Sequence, residues 1–154
     1  MMMQRKTVGN SWPIRNLGND EPETVTMGEL VTFDFDDTLT LPIKDEEGYW
    51  LSGGHQPNME TIEMVKEMDG RGHDIAIVTS RTRTPGSDQK IGAFIMEYEL
   101  PVTQTVFTNG QWKADILEEM GSVLHYDDDL EELSRIEEKG IAVVEVPHPP
   151  GPRR

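Results

Sequence analysis

Four short stretches of this chain hold residues whose types could do chemistry together. They are Asp34-Phe35-Asp36-Asp37-Thr38, Thr79-Ser80-Arg81 with Arg83 close behind, Thr108-Asn109-Gly110 followed by Lys113, and Asp127-Asp128-Asp129. Carboxylates dominate the set. Gathered in one place they repel one another, and burying them unpaired is costly. A hard divalent cation with oxygen ligands relieves that cost, and magnesium is the usual partner of a few carboxylates plus a substrate phosphate. The hydroxyls and the single ammonium are suited to an anion on the same cation.

Such a site needs elements that bring the four stretches to one rim, and the apolar pattern supplies them. Leu30-Val31-Thr32-Phe33 is a short β-rich run ending at Asp34, and Ile75-Ala76-Ile77-Val78 is continuously apolar, as a strand covered on both faces should be. Thr103 to Phe107, Val123 to Tyr126 and Ile141 to Val146 read as three further strands. Between them lie helical stripes: Met59, Ile62, Val65 and Met68, with Pro57 as the expected first helical position; Ile91, Phe94, Ile95 and Tyr98; Trp112, Ile116, Leu117 and Met120; and Leu130, Leu133 and Ile136. Five strands alternating with four helices predict an α/β three-layer sandwich on a five-stranded parallel sheet. In open parallel sheets ligands bind beyond the carboxyl ends of the strands, where all four stretches fall.

In that order and on those strands, the stretches resemble the motifs of the haloacid dehalogenase (HAD) superfamily of phosphohydrolases. Val31-Thr32-Phe33-Asp34-Phe35-Asp36-Asp37-Thr38-Leu39-Thr40 is similar to its first motif, and the strand ending in Thr79 to its second. Lys113 stands where the third motif's lysine is expected, and Asp127-Asp128 with Glu132 resembles the fourth. The resemblance spans residues 29–146 and implies a magnesium-dependent phosphatase working through an aspartyl-phosphate. It makes Asp34 the nucleophile and Asp36 the acid/base, with the Asp36 backbone carbonyl on the metal. Thr79 would bind a phosphoryl oxygen, and Lys113 would offset negative charge. Asp34 and Asp128 would hold magnesium, and Asp127 would support the metal or orient Lys113. The register of the Asp127–Asp129 run is open; starting it at Asp127 lands Glu132 on the motif's last acid. Asp37 occupies a position that is often glycine in the family.

The chain has 154 residues, 14 basic and 29 acidic, for a net charge of −15. The length suits one domain of roughly 100–200 residues. There is no cysteine, which excludes thiolate metal sites and thiol nucleophiles, and the four histidines never fall at zinc-ligand spacing. No apolar run reaches the ~20 residues of a membrane span, so a cytoplasmic protein is expected. The negative charge argues against a broad nucleic-acid-binding face. Residues 1–28 read as an irregular extension, with at most a short stretch packed on the body, and 147–154 as a proline-rich tail.

The interval from Leu39 to Gln56 is short and broken by Pro42, Gly48, Gly53 and Gly54, which suits a hairpin flap and no folded cap. An open, capless site admits a large substrate. Thr79-Ser80-Arg81 resembles the [ST]xR of polynucleotide 3′-phosphatases and some nucleotidases of the superfamily. Ser80, Arg81, Arg83 and Asn109 are therefore candidate substrate contacts, for a nucleotide or a polynucleotide end. Against this stand plainer readings: a solvated Asp-rich turn, a surface Lys113, arginines that only neutralise the acidic rim, and a non-catalytic phosphate- or partner-binding protein. Asp129 and Glu131 read as helix-start charges, Tyr49 and Trp50 as packing, and His125 as a satisfied structural residue within a strand. The physiological ester and the oligomeric state are open.

Overall fold

The computed structural model describes residues 7–8, 12–15 and 28–149. Its strands are β1 (Thr7–Val8), β2 (Trp12–Arg15), β3 (Leu30–Phe33), β4 (Thr40–Lys44), β5 (Trp50–Pro57), β6 (Asp74–Thr79), β7 (Gln104–Phe107), β8 (Ser122–Asp127) and β9 (Ala142–Glu145). Its helices are α1 (Met59–Gly70), α2 (Pro85–Glu97), α3 (Lys113–Met120) and α4 (Leu130–Glu138).

The five strands read from the apolar runs are β3, β6, β7, β8 and β9, and they pair in parallel in the order β9-β8-β3-β6-β7. The sheet is nevertheless not a five-stranded parallel one. β2 adds antiparallel to β9, with Ile14 opposite Val144, and β1 pairs with β2, so the sheet is mixed and mostly parallel. The stretch expected to be irregular thus supplies an edge. The other residues of the extension, and the tail beyond Pro149, lie outside the described residues.

Strand alternation sorts side chains to two faces. Val31, Phe33, Ile75, Ile77, Leu124, Tyr126 and Val144 share one buried cluster with Ile62, Met64, Val65 and Met68 of α1 and Ile91 and Phe94 of α2. Val78 and Val143 face a second cluster with Ala114 and Leu117 of α3 and Leu133 and Ile136 of α4. The result is a Rossmann-like sandwich. Its helices differ from expectation at their starts. Pro57 ends β5 and Asn58 stands at the N-cap position of α1 with no side-chain capping bond, while Pro85 takes the first helical position of α2. Trp112 precedes α3 as its N-cap and is exposed under Arg135, leaving Lys113, Ala114 and Leu117 on the buried face.

β4 and β5 form the expected antiparallel hairpin between β3 and α1, apart from the main sheet. The chain runs from β3 outward to β6 and β7, then returns to β8 on the other side of β3. The order reverses between β3 and β8, and a cleft opens at the carboxyl ends beside such a switch point.

Candidate functional site

Beyond β3 the backbone turns sharply, with the amides of Thr38, Leu39 and Thr40 all directed at the Phe35 carbonyl. The turn puts Asp37 in the left-handed region, φ 63°, which aspartate tolerates better than most residues. That explains how an acid stands where glycine is common in the resembling motif. The Thr40 hydroxyl accepts the Asp37 amide at 3.1 Å and fixes the turn.

A cleft of about 310 Å³ opens here, lined by Asp34, Asp36, Asp37, Ser80, Arg81, Lys113, Asp127, Asp128, Asp129 and Glu132. At its floor Lys113 Nζ lies 2.9 Å from Asp34 Oδ1 and 2.7 Å from Asp127 Oδ2, with all three residues buried. The Thr38 hydroxyl stands 3.0 Å from Asp34 Oδ2 and 3.2 Å from Asp128 Oδ1, and having one proton it donates to one of them at a time. Lys113 is placed by α3, whose first amide donates to Glu132 Oε1 at 3.0 Å. Trp112 has no capping oxygen, so Glu132 does the capping from α4.

Asp127 is fully engaged. Oδ2 accepts from Lys113 and from His125 Nε2 at 2.9 Å, and Oδ1 accepts the Asp129 amide at 3.1 Å. Burial alone would raise its pKa, but Lys113 and His125 hold it well below the usual carboxylate range. Burial works against the Lys113 charge too, and the Asp34 and Asp127 carboxylates overcome it and hold the ammonium firmly protonated. Asp34 moves the other way: burial, then the charges of Asp127 and Asp128, pull its carboxyl up against Lys113. Asp34, Asp127 and Asp128 can converge on one metal ion. Three carboxylates against one ammonium leave two negative charges in excess, which a divalent cation would neutralise. The donors are all oxygen, so the residues fit a hard cation.

The other sequence candidates divide. Asp36 is held by both oxygens, Arg81 Nε to Oδ2 at 2.7 Å and the guanidinium to Oδ1 at 2.8 Å. Arg81 thus lies on the rim as expected, but turned onto an acid of the site itself. Ser80 lines the cleft, whereas Thr79 is buried behind it and accepts the Arg81 amide at 3.3 Å. Arg83 turns outward to Asp88 at 3.0 Å, and Asn109 Oδ1 accepts the Arg83 amide. Neither Arg83 nor Asn109 lines the cleft.

Two neighbours were missed as site residues, and a third, Thr38, belongs to the first stretch but was given no role of its own. His125 carries its ring nitrogens within β8, on the same face as Asp127, which the alternation of that strand could have flagged. His148 follows β9, packs edge-on against Trp50 of the flap, and brings Nε2 to 3.8 Å from Asp37. No sequence signal pointed there, because the contact depends on where β9 ends. No protein-family model and no curated protein matches the chain. Among the described residues, no helix is long and apolar enough to cross a membrane.

Proposed function

We propose that the chain is a magnesium-dependent phosphomonoester phosphatase of the HAD type. The observation that carries this reading is the buried Asp34–Lys113–Asp127 arrangement beside Asp128, at the switch point of the sheet. Asp34 and Asp128 would hold the cation, which supplies charge neutralisation for the phosphoryl group. Asp127, with both oxygens already accepting, is better suited to orienting Lys113 than to binding metal.

Asp34 attacks phosphorus, and the bond to the leaving oxygen breaks as the aspartyl-phosphate forms. Asp36 gives that oxygen its proton, then takes one from the water that attacks phosphorus and releases Asp34 and phosphate. Lys113 offsets charge on the transferring group, and Ser80, just after β6, is the hydroxyl of this stretch that lines the cleft, with Thr79 buried behind it. In the free protein Arg81 grips both oxygens of Asp36. A substrate bearing a second anionic group would draw the guanidinium away and free the Asp36 oxygens to face the leaving group. That favours a nucleotide or a polynucleotide end over a small monoester.

The same clamp favours a second reading, a non-catalytic phosphate- or partner-binding protein in which Asp36 is a structural acid. Hydrolysis of an aryl phosphate with magnesium, by wild type and Asp34→Asn, separates the two. Turnover lost in the variant supports the phosphatase; equal rates, or none from either, leave the binding reading.

A further inference from the structure

A histidine in the middle of a fully buried strand must satisfy both ring nitrogens, whereas an apolar side chain there would need no partner. β8 carries such a residue, His125, with Val143 of β9 beside it on one side and Thr32 of β3 on the other. Because strand side chains alternate, His125 and Asp127 project from the same face of β8, as Thr32 and Asp34 do from β3. The two pairs form a row leading from the sheet interior to the cleft.

The row is bonded end to end. The Ser122 and Thr32 hydroxyls are 2.8 Å apart, Thr32 Oγ1 is 2.8 Å from His125 Nδ1, and His125 Nε2 is 2.9 Å from Asp127 Oδ2. Asp127 Oδ2 also accepts from Lys113, whose Nζ reaches Asp34. The polarity of the row follows. A carboxylate oxygen already receiving an ammonium proton can only accept, so the imidazole donates from Nε2, and Nδ1 is left to accept the Thr32 hydroxyl.

We infer that His125 is a positioning residue for the proposed phosphoryl transfer: it fixes the Asp127 carboxylate, which in turn aims the Lys113 ammonium at Asp34. The inference rests on the phosphatase reading above. Asp127 Oδ2 has two donors from opposite sides, Lys113 from α3 and His125 from within β8. Without His125 only the Asp129 amide, on the other oxygen, still fixes the carboxylate, so Oδ2 can turn and the ammonium loses its set direction toward the nucleophile.

Two amide variants separate this from packing. In His125→Gln the side-chain amide reaches the place of Nε2 and still donates to Asp127; in His125→Asn it reaches only the place of Nδ1, toward Thr32. Asn is expected to lower kcat about 10–100-fold with KM near wild type, the range for an outer partner of a catalytic group. Gln is expected to restore most of it, with both variants melting at similar temperatures. Equal losses in the two, or none in either, overturn the inference.

A readout without substrate keeps the two readings apart. The His125 Nε2 proton, buried against a carboxylate, should give a slowly exchanging downfield NMR resonance that Asp127→Asn moves upfield. An active wild type lacking it leaves the phosphatase standing and refutes the role of His125. A wild type without turnover sinks the phosphatase reading, and the resonance then decides the His125–Asp127 link by itself.

Discussion

Replacing Lys113 with methionine keeps an unbranched stem one heavy atom shorter and removes the one ammonium that Asp34 and Asp127 share. Both ion-pair partners and the lysine are almost fully screened from solvent, with side-chain exposures of 8%, 0% and 3%. Removing one partner of a buried pair typically costs about 3–5 kcal/mol, because the remaining charge has no compensation. The lower end is expected here: Asp34, already pulled upward by burial and its neighbours, can take a proton and remove part of the repulsion. For a chain of this size each kcal/mol is about 2–4 °C in Tm, so about 3 kcal/mol corresponds to a fall of about 6–12 °C. The assay is urea and thermal unfolding of Lys113→Met, Asp127→Asn and the double variant, in chelator. Since the partners form one network, the double variant should be more stable than the sum of single effects predicts, by about 2 kcal/mol. A single variant within about 1 kcal/mol of wild type, or strictly additive effects, would refute a buried ion pair as the centre of this site.

Further outcomes follow from the same geometry. Asp128→Asn should abolish the rise in Tm that millimolar magnesium gives wild type, read by thermal unfolding with and without metal; an unchanged rise removes Asp128 as a ligand. Asp36→Asn should keep magnesium binding but lose about 10²–10⁴ in turnover, the usual contribution of a general acid–base, as measured by phosphate release. Arg81→Ala should raise KM for a nucleotide more than for an aryl phosphate, whereas Arg83→Ala, whose side chain is turned to Asp88, should change neither. In chelator, the raised Asp34 pKa means that the fold holds a proton the unfolded chain has released. The stability this gives is present at low pH and lost as pH rises from the ordinary carboxylate range through the folded value. Unfolding midpoints at about pH 5 and pH 7 should therefore differ less in Asp34→Asn than in wild type.

The five parallel strands were legible because each is a short β-rich run between helical stripes or breakers, continuously apolar at Ile75–Val78, a pattern that survives without knowing its neighbours. β2 was not, since Trp12-Pro13-Ile14-Arg15 has neither sustained alternation nor a run, and is a strand only because β9 offers it an edge. At the site, strand ends fixed which residues reach the rim, and Asp34, Lys113, Asp127 and Asp128 do converge. Partner choice among them was out of reach. Arg81 and Arg83 look equivalent in sequence, yet one turns in to Asp36 and the other out to Asp88. Likewise the choice between Asp127 and Asp128 rests on hydrogen bonds from His125 and the Asp129 amide, which spacing does not encode.

The pairing of β2 with β9 joins Ile14 to Val144, about 130 residues apart in the chain. Closing so long a loop is entropically unfavourable until the intervening domain has condensed, so this edge should be the last part of the sheet to zip. Until it does, β9 presents an open ladder next to Val143 and Val144, and the β2 segment of another copy fits it as well as the chain's own. Refolding at high concentration should therefore favour dimers that have exchanged their amino-terminal strands, with every site complete and only the edge traded.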